Sequence, residues 1–151
     1  MTVLAAIRPD SWNFPLFLHV LGAMVLVGGT LTAATSLAFA RGDNGMLRLG
    51  YWSLLAVALP GYIAMRIGAE WIYSKEGLDD APSDPAWVGI GYIVADIGAL
   101  LLVIALVVGG IGVYRLRTER GEGLLKVSMV IAVLLLAAYV VAIWAMGAKP
   151  D

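Results

Sequence analysis

The sequence has 151 residues, of which 61% are hydrophobic and 14% are charged, and its mean hydropathy is +0.89. Soluble domains have about half of their residues apolar and about a quarter charged, so this composition indicates an integral membrane protein. The formal net charge of −1 gives no reason to expect a nucleic-acid partner, and the lack of cysteine excludes disulfides, thiolate metal sites and cysteine nucleophiles.

Four apolar segments predict four transmembrane helices, because each reaches the ~20 residues that a span requires. The spans are predicted at about 14–40, 46–73, 86–115 and 124–146. Short turns separate the first span from the second and the third from the fourth. Because short connections make consecutive helices antiparallel neighbours, we expect one domain, residues 1–151, folded as an all-α, up-down four-helix integral membrane bundle.

The distribution of basic residues predicts the orientation of this bundle. Most of them follow the first and third spans, whereas the opposite side carries most of the acidic residues. The positive-inside rule therefore places both termini and the loop at 74–85 outside. The first span is about twice as long as a signal-peptide core, so we expect it to be retained. The basic residues of the inner side are Arg41, Arg48, Arg115, Arg117, Arg120 and Lys126, and those of the outer side are Arg8, Lys75 and Lys149.

One polar group from each predicted span lies at a similar depth in the outer half of the bundle. These groups are His19, which is the only histidine, Arg66, Asp96 and Tyr139. An Arg or Asp at the centre of a span costs ~2.5–3.5 kcal/mol on insertion, so we expect Arg66 and Asp96 to face the bundle and to pair. Such a pair either belongs to a functional site or only fixes the helix register.

Other polar and sulfur-containing residues stand close to this layer. Tyr62 lies one helical turn from Arg66 and Tyr92 one turn from Asp96, either lining a site or packing as ordinary aromatic residues. Methionine is a soft ligand, although in a bundle it usually fills space. The candidate cofactor-binding residues are His19, Arg66, Asp96, Tyr62 and Tyr92, and the weaker candidate metal ligands are His19, Met24 and Met65.

Small residues and one proline indicate how the first two helices are shaped. Glycines at 22, 28 and 29 allow a neighbouring helix to approach the backbone of the first span closely. The pair Pro60-Gly61 predicts a kink in the second span. The kink either shapes a cavity next to Arg66 or only bends the helix.

The segment 16–29, LFLHVLGAMVLVGG, resembles the first helix of the CopD-like group of small bacterial membrane proteins. In that group a Leu-His pair opens the helix and a Gly-Gly element follows, here Leu18-His19 and Gly28-Gly29. The group includes copper-resistance membrane domains, haem-binding HemJ-type protoporphyrinogen oxidases and uncharacterised four-helix proteins, and the chain looks closest to the last. The resemblance implies a location in the bacterial inner membrane and makes His19 a candidate ligand of haem or a metal. The chain lacks the intramembrane lysine expected of a HemJ-type enzyme.

Three functions remain open. The first is binding of b-type haem, or less readily copper, with His19 as the axial ligand and Arg66 pairing with a propionate. A single histidine then leaves the haem five-coordinate, ligated also by Met or Tyr, or held between two subunits. The second is transport or proton relay with Asp96 as the exchangeable acid. The third is a structural subunit of a homodimer or a larger membrane complex. A serine hydrolase is the least supported class, and no catalytic residues are predicted.

Overall fold

The computed structural model describes residues 9–80, 82–118 and 120–149, which form four long helices and no β-strand. Each helix is long and apolar enough to cross a membrane, and its ends lie within two residues of the predicted span. Arg8, used in the orientation prediction, lies outside the described residues. The helices are α1 (Asn13–Phe39), α2 (Asn44–Lys75), α3 (Ala86–Arg115) and α4 (Glu122–Ala148).

The turn between α1 and α2 is defined by glycine and by a capping carboxylate. Gly42 has a φ of 86°, which an L side chain rarely adopts. Asp43 then caps α2, because its Oδ1 accepts hydrogen bonds from the N–H groups of Gly45 at 2.7 Å and Met46 at 3.2 Å. Two of the four donors left without a partner at a helix start are thereby satisfied. The chain consequently reverses direction within a few residues, and α1 and α2 become antiparallel neighbours.

Glycines bring α1 and α2 into backbone contact. A Cβ on Gly22 would overlap the backbone of Met65, and a Cβ on Gly68 would overlap the backbone of His19. The same holds for the glycines at 29 and 61, so each helix contributes two glycines seven residues apart. The predicted close approach of a helix to α1 is therefore confirmed at Gly22 and Gly29. Gly28 differs, because nothing lies within 4 Å of a Cβ built on it.

A second tight pair is formed by α3 and α4. The hydroxyl of Ser128 donates a hydrogen bond of 2.9 Å to the carbonyl of Ala105, and Gly98 lies against the ring of Tyr139. Between the two pairs, α1 packs against α4, whereas α2 and α3 are joined mainly by long side chains such as Tyr51 and Tyr62. This arrangement leaves a partly open space between the two pairs.

A π-helical turn lies directly before Pro60-Gly61, where the sequence predicts a kink. The turn spans Leu54–Ala58, and the N–H of Leu59 donates to the carbonyl of Leu54, five residues earlier. Proline has no N–H and its ring crowds the carbonyl four residues before it, so the hydrogen-bond ladder has to adjust near Pro60. The wider turn makes that adjustment, and α2 continues to Lys75.

Candidate functional site

His19 is fixed by the backbone of the neighbouring helix. Its Nδ1 lies 3.0 Å from the carbonyl oxygen of Met65, and the side chain is half-buried. The contact depends on Gly68, because any side chain there would push α1 away from α2 at the level of His19. Gly68 therefore determines both the distance between the two helices and the position of His19.

The hydrogen bond also determines which nitrogen of His19 carries the proton. A backbone carbonyl can only accept, so Nδ1 has to be the protonated donor. In the neutral imidazole Nε2 then carries a lone pair, and it is the nitrogen that remains for a ligand. Histidines that bind metals usually donate their other N–H to a carbonyl or a carboxylate in this way.

A large cavity that is partly open to the surface of the bundle lies beside this imidazole. It has a volume of about 580 Å³ and is walled by α1, α3 and α4, with Met65 contributed by α2. Its lining is almost entirely apolar, and the space next to Gly28 belongs to it. A mostly apolar cavity with a few convergent polar groups is the usual form of a small-molecule site. The side chains in its wall that carry a nitrogen, oxygen or sulfur atom are His19, Met24, Met65, Tyr139 and Met146.

Tyr139 also lies in the wall of the larger cavity. Its side chain is buried, and its hydroxyl has no hydrogen-bond partner among the described residues. An unsatisfied buried hydroxyl costs ~1–3 kcal/mol. The hydroxyl is enclosed within the wall, so Nε2 of His19 is the polar nitrogen that remains for a ligand beside this cavity.

A smaller and more polar cavity adjoins the larger one. Its volume is about 280 Å³, and it is lined by Arg66, Tyr92, Trp87 and Lys149 as well as by His19. The two cavities share five wall residues, which are His19, Met65, Gly91, Ala95 and Met146. His19 thus stands between an apolar compartment and a polar one. Lys149, whose ammonium lies 5.0 Å from the centroid of the Trp87 ring, was not among the predicted site residues.

Arg66 is the centre of an ion cluster between α2 and α3. Its Nη1 lies 3.1 Å from Oδ1 of Asp96, and its Nε lies 3.1 Å from Oε1 of Glu70. The guanidinium also lies 4.7 Å from the centroid of the Tyr92 ring, whose hydroxyl donates to Glu70 at 3.2 Å. The predicted pairing of Arg66 with Asp96 is confirmed, and Glu70 joins it as the i,i+4 partner.

The expectation that this pair faces the bundle interior is wrong for Asp96. The Asp96 side chain is 64% exposed, that of Glu70 52% and that of Arg66 29%. The reason lies in the packing of α3, whose buried side carries Gly98 and Ala105 and rests on α4. Asp96 stands on the opposite side of the helix and therefore points outward.

The polar residues that were predicted to share one layer therefore fall into two groups, those that line a cavity and those that do not. His19, Arg66 and Tyr92 share the smaller cavity, and the three candidate metal ligands share the larger one. Asp96 and Tyr62 line neither cavity, and Tyr62 instead donates to the carbonyl of Ala95 at 3.3 Å. Within the part of the chain that the structure describes, no three His, Asp or Glu side chains form a group that could bind a metal ion.

Comparisons with known proteins add no relative to this picture. No family model matches the chain, and no curated protein or solved structure matches it significantly. The resemblance to the CopD-like group therefore rests on the residues of the first helix and stays a prediction.

Proposed function

We propose that the protein spans the bacterial inner membrane four times, with both termini outside, and binds b-type haem in the larger cavity through His19. The length and apolarity of the four helices support the membrane location. The excess of basic residues in the two short turns supports the orientation. The location in a bacterial membrane rests on the resemblance of the first helix to the CopD-like group.

One observation carries the haem proposal. The Met65 carbonyl accepts the Nδ1 proton of His19, which leaves Nε2 as the nitrogen for the iron. The same hydrogen bond restrains the ring, as it does in histidines that bind metals.

The residues around the cavity fit a haem. Its volume of about 580 Å³ lies within the ~300–1,000 Å³ typical of small-molecule sites. Haem iron is held mostly by its own porphyrin nitrogens, so one protein ligand is sufficient and a cluster of metal-binding side chains is not needed. A second ligand is offered by Met24 or Met146, which line the same cavity. The bound group would supply redox or gas-binding chemistry.

The smaller, polar cavity offers room for the haem propionates. The cation that pairs with them differs, however, from the one that the sequence predicts. The sequence suggested Arg66 for this role, but its guanidinium already contacts the carboxylates of Asp96 and Glu70. Lys149 lines the same cavity and is held over Trp87. We therefore assign a propionate to Lys149 first and to Arg66 second.

The absorption spectrum of the protein purified after haem-replete expression tests this function. We expect a Soret band that is lost or shifted in the His19→Ala variant and retained in a control variant, Thr32→Val, which alters an exposed hydroxyl of α1. A wild-type protein without a Soret band, or a band unchanged in His19→Ala, would exclude haem ligation by His19. Transport or proton relay through Asp96 and a structural role stay predictions.

A further inference from the structure

The outward face of α3 carries a charge where a lipid-facing helix should carry none. Asp96 lies ten residues from the start of α3 at Ala86, about 15 Å along the helix at 1.5 Å per residue. Its only ion-pair partner among the described residues, Arg66, is shared with Glu70. An Asp at the centre of a span costs ~2.5–3.5 kcal/mol on insertion, which is an upper bound for Asp96, and such residues normally face protein or water.

The residues around Asp96 form a seam suited to another helix. Positions 89, 93, 96, 100, 103 and 107 alternate by four and three residues, the spacing at which two helices pack with a small crossing angle. The large apolar members, Ile93, Leu100, Val103 and Val107, are all exposed. Gly89 at the start of the seam has open space around it, so a second backbone could approach there. We call these six residues the α3 seam.

The formal charge of the ion cluster indicates what kind of helix would pack on the seam. One cation, Arg66, faces two carboxylates, so the cluster carries a formal net charge of −1. A basic side chain at the depth of Asp96 would neutralise it. A second copy of the chain would not, since it would bring a further net charge of −1. Every other Lys or Arg in the described parts of the four helices lies within five residues of a helix end.

We propose that the α3 seam binds a transmembrane helix of a different protein, and that a Lys or Arg of this helix pairs with Asp96. The apolar seam residues supply the packing, and the carboxylate specifies the register and the partner. This inference requires that the chain spans a membrane, but it does not depend on a ligand in the larger cavity. It makes the protein one subunit of a hetero-oligomeric membrane complex.

Fluorescence energy transfer in phosphatidylcholine vesicles tests the proposal. The full chain is labelled at a Ser83→Cys substitution, which introduces its only cysteine. The probes are Leu-Ala helices of about 23 residues with interfacial tryptophans, and a Lys, Leu or Glu occupies the depth of Asp96. We expect the Lys helix to bind about three- to tenfold more tightly than the Leu and Glu helices, the factor typical of a polar contact between membrane helices.

Two variants distinguish the contribution of the Asp96 charge to helix binding from that of the apolar seam residues. Asp96→Asn should remove the preference for the Lys helix. Val103→Trp should weaken binding of all helices by obstructing the seam, whereas Val140→Trp, on an exposed position of α4, should not. Val103→Trp also keeps the test valid if Asp96→Asn does not fold. Equal binding of the Lys and Leu helices to the wild type would overturn the proposal. Energy transfer between labelled copies of the chain that requires Asp96 would also overturn it, in favour of a homodimer.

Discussion

The imidazole Nδ1 of His19 on α1 lies 3.0 Å from the carbonyl oxygen of Met65 on α2. This hydrogen bond links helix packing to chemistry, because it fixes the ring and leaves Nε2 as the nitrogen for a ligand. It exists only because α1 and α2 approach each other at glycines. The first prediction concerns the glycine nearest to it.

Replacing Gly68 with alanine should destabilise the protein and displace His19. The added Cβ would overlap the His19 backbone, so the helices would have to separate. Overpacking of this kind costs ~1–3 kcal/mol in the free energy of unfolding. Denaturant titration in detergent micelles measures it. The control is Gly89→Ala, where the Cβ meets no atom within 4 Å and stability should be unchanged or slightly higher. Equal stability of the two variants would contradict the close contact.

Replacing Tyr139 with phenylalanine should leave the ligand-free protein as stable as the wild type or up to ~1 kcal/mol more stable, because it removes a hydroxyl without a partner. Ser128→Ala is the matched comparison, since its hydroxyl donates to the carbonyl of Ala105. This variant should lose ~1 kcal/mol. Thermal unfolding of both in the same detergent gives the comparison. A destabilised Tyr139→Phe variant would show that the hydroxyl already has a partner.

Arg66→Lys should not behave as a conservative substitution. The guanidinium uses Nε for Glu70 and Nη1 for Asp96 while lying over the ring of Tyr92, and a lysine ammonium cannot make all three contacts. Because the cluster is partly exposed, we expect a loss of only ~1 kcal/mol in stability. Arg48→Lys, at an exposed position near the start of α2, should have no effect. The same loss in both variants, measured by denaturant titration, would argue against the cluster.

The membrane orientation can be tested by single-cysteine labelling, since the chain has no cysteine of its own. A maleimide that does not cross membranes should label Ser83→Cys in the loop before α3 from outside intact cells. It should label Thr118→Cys, after α3, only when the membrane is opened. The reverse pattern would invert the orientation, and labelling of both sites from outside would contradict a spanning α3.

Much of the fold could be predicted from the sequence because lipid-crossing helices have a minimum length and a simple composition. The boundaries followed from apolar runs and their glycine- and proline-containing breaks, and the contacts at Gly22 and Gly29 followed from residue size. Counting residues along the helices also placed Arg66 and Asp96 at matching depths, and they do pair.

Other features depended on packing between segments far apart in the chain. The outward direction of Asp96 follows from the small-residue side of α3, which packs on α4. The larger cavity exists because two tight helix pairs meet loosely, which no local pattern indicates. Lys149 joins the polar cavity because α4 continues two residues beyond its predicted end.

Haem titration of the purified apoprotein tests the central claim most directly. We predict saturation at one haem per chain, with a Soret band that is lost in His19→Ala and restored when free imidazole is added, because imidazole can occupy the space left by the side chain. Thr32→Val should titrate like the wild type. Identical titration curves for the wild type and His19→Ala, or haem uptake without a saturable stoichiometry, would contradict ligation by His19.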